Sequence, residues 1–168
     1  MKKIISVILA MVMSMSLLTA CGGSNDANAT YDVNEVMSTI ESAVPMAMPM
    51  ELTEEDLTIF AEIDMANVAS WAGKISMANV SSDTLIVIEA AEGKVDAVKA
   101  ALEGFKANRA LSFERYLQDQ YEKAEAGRVV VKGNYVVLAI LGDNEVIIND
   151  GVEKAYEAVD AAIDEAFK

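Results

Sequence analysis

The chain has 168 residues, 27 acidic against 13 basic, and a formal net charge of −14. That balance argues against nucleic acid, whose phosphates are gripped by basic groups, and against flat adhesion to anionic headgroups through a polybasic face. It has no histidine and one cysteine, which excludes Ser-His-Asp and Cys-His catalysis in their usual forms and argues against zinc.

Lys2 and Lys3 precede an apolar run over residues 4–18, which ends in Leu18-Thr19-Ala20-Cys21. A basic start, an apolar core and small residues before a cut form a secretory signal over residues 1–20. The run is shorter than the roughly 20 residues a transmembrane helix needs. A cysteine directly after the cut resembles the bacterial lipobox, in which the thiol receives a diacylglyceryl group. Two acyl chains, each buried methylene contributing about 0.8 kcal/mol, hold a protein stably on a membrane. The expectation is an anchor at Cys21 on the extracytoplasmic face of the cytoplasmic membrane. Losing Lys2 and Lys3 with the signal makes the mature chain more acidic still. Residues 21–30 carry the modified cysteine and a polar tether of Gly, Ser, Asn and Asp, with a reach of roughly 15–18 Å. Residues 31–168 are long enough for one domain with a proper core.

Val33, Val36, Met37, Ile40 and Val44 recur at helical spacing over residues 31–44, with Asp32 and Glu35 as a capping pair and Pro45 as the stop. Residues 45–50 alternate Pro, Met and Ala and read as extended. Thr53 and Asp56 cap a short second helix. Residues 70–78 and 84–90 read as strands of a hairpin around Ser81-Ser82-Asp83. The second is apolar on both sides and belongs inside the sheet. Residues 93–125 are helical, with the stripe Val95, Val98, Leu102 and Phe105 running on to Arg109, Ser112 and Tyr116. The polar interruption predicts a bend near residues 108–111. Residues 129–131 and 135–141 form a second hairpin around Lys132-Gly133-Asn134. Gly142-Asp143-Asn144 is a turn, residues 145–148 add an extended piece, and Asp150 with Glu153 caps an amphipathic terminal helix. The order α-α-β-β-α-β-β-α predicts a single α+β domain, an antiparallel sheet of about four strands in two hairpins with helices mainly on one face.

The chain resembles the small lipoproteins of Firmicutes that carry the domain of unknown function numbered 4358. The likeness rests on Leu18-Thr19-Ala20-Cys21-Gly22-Gly23 before a polar tether, on a long helix with Arg109, Phe113 and Tyr116, and on the run from Gly127-Arg128-Val129 to Tyr135-Val136-Val137-Leu138. Leu117-Gln118 stands where many relatives place a proline. The resemblance implies a surface lipoprotein and brings no activity, cofactor or catalytic residue.

Three groups have candidate chemistry. Met46, Met48 and Met50 alternate in an extended segment, so their thioethers share one side and suit Cu(I); methionines equally fill irregular core space. Arg109, a charge on an apolar stripe, suits a carboxylate or phosphate in a pocket, with Tyr116 and Tyr135 as aromatic lining; the same residues also suit an ion pair and a core. The acids around Asp143 and Asp150 lack the glycine and distal glutamate of a calcium loop. No pattern selects catalytic residues or a cofactor. The expected function is a non-enzymatic envelope module for a small ligand or protein partner. The alternatives are Cu(I) handling through the methionines and an enzyme working by a carboxylate or Ser/Lys mechanism.

Overall fold

The structure, a computed structural model, describes residues 29–168; the signal, Cys21 and most of the tether lie outside them. Helix α1 spans Val33–Ala43, and Asp32 accepts bonds from the Asn34 and Glu35 amides at its start. Strand β1 is Pro49–Glu51. Helix α2, Glu54–Phe60, opens on the Thr53–Asp56 capping box. A 3-10 turn at Met65–Asn67 leads into β2, Val68–Ser76, which pairs antiparallel with β3, Thr84–Ala90. Helix α3 is Val95–Leu111 and α4 is Gln118–Glu125. Strands β4, Arg128–Lys132, and β5, Tyr135–Ile140, turn through Gly133-Asn134. Gly133 has φ 61, the left-handed geometry that a glycine accepts in a tight hairpin. Helices α5, Asn144–Asp150, and α6, Val152–Ala166, close the chain.

The sheet is antiparallel with strand order β1-β2-β3-β5-β4, one strand more than the two hairpins predict. The extra strand is β1, the Pro-Met segment laid along β2. Leu52 donates to Gly73 and Met77 to Met48, so by alternation Pro49 and Glu51 turn their backbone outward. A proline there offers no N–H to an approaching strand.

Helices cover both faces, not mainly one. Side chains alternate along a strand, so Leu85, Val87, Val137 and Ala139 meet α1 and α6 while Ile86, Ile88, Val136 and Leu138 meet the side of α2, α3 and α4. All these strand residues are buried, as sheets clad on both sides require.

Two local expectations change. The helical break falls at residues 112–117, later than 108–111, because Arg109 does not disturb the stripe: its guanidinium leaves the helix for the β2–β3 loop. Residues 145–148 are helical, since Asp143 caps the Glu145 amide and Ile147 is buried. Helix α6 therefore starts from Gly151 (φ 94, ψ 157), and Asp150 is the last residue of α5. Among the described residues no helix is long and apolar enough to cross a membrane.

Two glycines respond oppositely to a methyl group. A Cβ on Gly127 would lie 2.9 Å from the Ala124 carbonyl and from Ile140 Cγ1, whereas one on Gly104 in α3 meets nothing within 4 Å. Gly127→Ala is expected to lower stability by about 1–3 kcal/mol through overpacking. Gly104→Ala is expected to raise it by about 0.5–1 kcal/mol by relieving the entropic cost of helical glycine. Urea unfolding of both variants reads the two signs.

Candidate functional site

Buried polar groups gather under the β2–β3 loop. Lys123 of α4 is wholly inaccessible and its Nζ lies 2.6 Å from Asp83 Oδ1. It also donates to the Gly142 carbonyl at 3.3 Å. One turn earlier, Gln120 accepts from the Ser82 amide (2.9 Å) and hydroxyl, and donates to Asn144 (3.0 Å). Tyr156 of α6 donates to the Lys123 carbonyl at 2.7 Å. Every buried side-chain polar atom among the described residues has a partner. Loop, α4, the β5–α5 turn and α6 are thus bonded to one another. Leaving one member unpaired in such a setting is expensive.

Arg109 joins this hub from α3. Its Nη2 donates to the Ser81 carbonyl (2.9 Å) and its Nε to that of Ser82 (3.3 Å). Its guanidinium centre lies 5.0 Å from the Phe113 ring centroid. Burial holds the group below its ordinary pKa, partly offset by Asp83. Four described cations have no carboxylate within ion-pair distance: Lys94, Lys99, Arg109 and Arg115. Arg109 alone of these is half-buried; the other three are exposed. Its Nη1 makes no hydrogen bond among the described residues, and the residue lines a cleft of about 330 Å³ between α2 and α3. Ile75 and Ile86 form the floor, Leu57, Phe60 and Phe105 the walls, and Asp56 and Asn108 bring polar atoms. Phe60 is 62% exposed over this cleft.

The residues proposed together from sequence do not meet. Tyr135 lies in the core on the α1/α6 face, its hydroxyl bonded to the Tyr31 carbonyl at 2.9 Å. Tyr116 is exposed in the α3–α4 connection. Only Arg109 lines the cleft. Met46 is buried in the α1/α6 core, whereas Met48 and Met50 are exposed. Met48 has φ 50, which interrupts the extended alternation that a shared thioether site requires. Among the described residues no three His, Cys, Asp or Glu side chains are grouped to hold a metal. Cys21 lies outside the described residues.

Two other clefts differ in kind. One of about 310 Å³ beside α1 is polar, and its Lys74 and Glu41 pair with each other at 2.6 Å. The other, about 370 Å³, lies by Pro45, Asp83 and Lys154; Asp83 is engaged by Lys123 and Lys154 by Glu157. The α2–α3 cleft combines apolar walls with an unmatched charge.

A family model described as "Domain of unknown function (DUF4358)" matches residues 42–141, more than half of the chain. The matched stretch contains the whole lining of the α2–α3 cleft and the Lys123–Asp83 pair. No curated protein and no solved structure matches the chain.

Removing one partner of a buried pair strands the other charge. Lys123→Met alone is therefore expected to cost about 3–5 kcal/mol, and Lys123→Met with Asp83→Val to recover most of that loss; a thermal-denaturation double-mutant cycle measures both. Burial also raises the Tyr156 phenol above its ordinary value of 10.0. The unfolded chain's phenol ionises there while the folded one stays protonated, so this contribution is intact below pH 10 and declines above it. Urea midpoints between about pH 9 and 11 are expected to fall, and less so in Tyr156→Phe.

Proposed function

The chain belongs to the DUF4358 family, and from that premise we propose that it is a lipid-anchored envelope module that binds a small ligand with an apolar body in the α2–α3 cleft. The family description carries no activity, so the reading rests on this chain's own residues. The observation that carries it is Arg109: a half-buried guanidinium, spare at Nη1, on the edge of an apolar cleft and without a carboxylate partner. A desolvated cation held in place by loop carbonyls offers a ready-made electrostatic contact. Apolar walls with a few fixed polar groups are the usual make-up of a small-molecule site. The absence of histidine from the sequence fits binding better than hydrolysis. The lipobox supports acylation of Cys21, and the acidic surface fits a domain that stays in water beside an anionic envelope.

Two measurements test this reading. Mass spectrometry of the native amino-terminal peptide is expected to find acyl mass on Cys21, and Cys21→Ser is expected to move the chain from the membrane to the soluble fraction. A thermal-shift screen of amino acids, peptides, sugars and carboxylates is expected to give hits with apolar bodies. Phe60→Glu, a change at an exposed position, is expected to abolish them. A flat response from the wild-type chain would sink the ligand reading.

A further inference from the structure

The cleft carries a second charge whose position narrows its ligand. Asp56 lies in the first turn of α2 and lines the cleft together with Arg109. Its Oδ2 accepts from the Thr53 amide and hydroxyl, both at 2.7 Å, and its Oδ1 makes no hydrogen bond among the described residues. The Thr53 amide keeps this carboxyl below its ordinary pKa, so it is ionised at neutral pH. Asp56 and Arg109 are not within ion-pair distance of each other. They come from the two helices that flank the cleft, with Leu57, Phe60 and Phe105 lining the space.

We infer that the α2–α3 cleft takes a small zwitterion with an apolar side chain, the chemistry of a free leucine- or phenylalanine-type amino acid. The inference rests on the cleft being a ligand site, as proposed above. The ligand's ammonium would meet Asp56 Oδ1, its carboxylate would meet Arg109 Nη1, and its side chain would lie against Ile75, Phe60 and Phe105. Charge complementarity selects this class over its neighbours. A simple anion meets Arg109 but is repelled by Asp56 and by a chain of net charge −14. A simple cation meets Asp56 but leaves its other end against a guanidinium. A net-neutral zwitterion satisfies both groups and feels no net repulsion. The volume of about 330 Å³ is at the small end of ligand clefts, roughly 300–1,000 Å³, and suits an amino acid or a short apolar peptide, which shares the same end groups.

The test is calorimetric titration of the full chain in detergent with L-leucine and L-phenylalanine, with the dipeptide leucyl-leucine, and with three charge-deleted analogues: N-acetyl-L-leucine, L-leucinamide and isobutyl methyl ketone. Either the free amino acids or the dipeptide is expected to bind at least tenfold more tightly than every analogue, and the tighter of the two identifies the source. Asp56→Asn is expected to erase the advantage over N-acetyl-L-leucine, and Arg109→Gln the advantage over L-leucinamide. The analogue series on the wild-type chain remains decisive if either variant folds poorly. If the ketone binds as well as leucine and Phe60→Glu removes both, the cleft is a ligand site and the zwitterion inference is overturned. If none of these probes binds but another class of compound does so in a Phe60-dependent way, the inference again fails alone. If nothing binds there, both readings fall.

Discussion

The contact on which the upper end of this domain depends is the ion pair between Lys123 and Asp83. A lysine with no accessible surface carries a desolvation penalty of several kcal/mol unless it is paired and further bonded. Here it is both, through Asp83 and the Gly142 carbonyl. The consequence is positional. Residues 81–83 cannot swing away without exposing or orphaning a charge. Their carbonyls are therefore fixed, and Arg109 can hang from them. Through Arg109 the hub sets one side of the α2–α3 cleft, although neither Lys123 nor Gln120 lines it.

Burial of both sheet faces works alongside this polar hub. Strands β3 and β5 are apolar at nearly every position, which is why the sheet can be clad by α1 and α6 on one side and by α2, α3 and α4 on the other. Helix α2 is the light member of that cladding. It is seven residues long, and Ile59 and Phe60 stay exposed. The cleft exists because so short a helix does not close the space up to α3.

Much of this was legible in the residues. Helical spacing marks α1, α2 and α6, the Thr53–Asp56 box marks the start of α2, and β-branched runs about Ser81-Ser82-Asp83 and Lys132-Gly133-Asn134 mark both hairpins. The doubly apolar pattern of residues 84–90 already implied two covered faces, a step the one-faced arrangement did not take. Short runs deceived where capping decides: Glu145 to Ile148 pairs β-branched residues with a helix-initiating Asp143, and the cap prevails. Strand β1 reads from sequence only as an extended piece, because Pro49 and Glu51 are poor strand formers that register along β2 only in the folded sheet. At the site, Arg109 stood out as a charge within an apolar stripe. Tyr116 and Tyr135 share its neighbourhood only if the helix keeps its phase and the strand faces the same side. The break at 112–117 and the alternation of β5 defeat those two conditions. Lys123 gives no signal in sequence, since a lysine in a polar helix reads as a solvated face.

The three rings of Tyr31, Tyr135 and Phe167 sit 5.0–5.7 Å apart by centroid. Tyr31 is clamped further by hydrogen bonds through its amide, carbonyl and hydroxyl. This bolt holds the backbone at residue 31 beside the start of β5, where the Ala90 amide donates to the Asn134 carbonyl. Ser81 and Ser82, which hold Arg109, precede the opposite end of the seven-residue β3, about 20 Å away at strand rise. Any load applied through the chain ahead of Tyr31 would therefore be borne by the end of the sheet remote from the loop that carries Arg109.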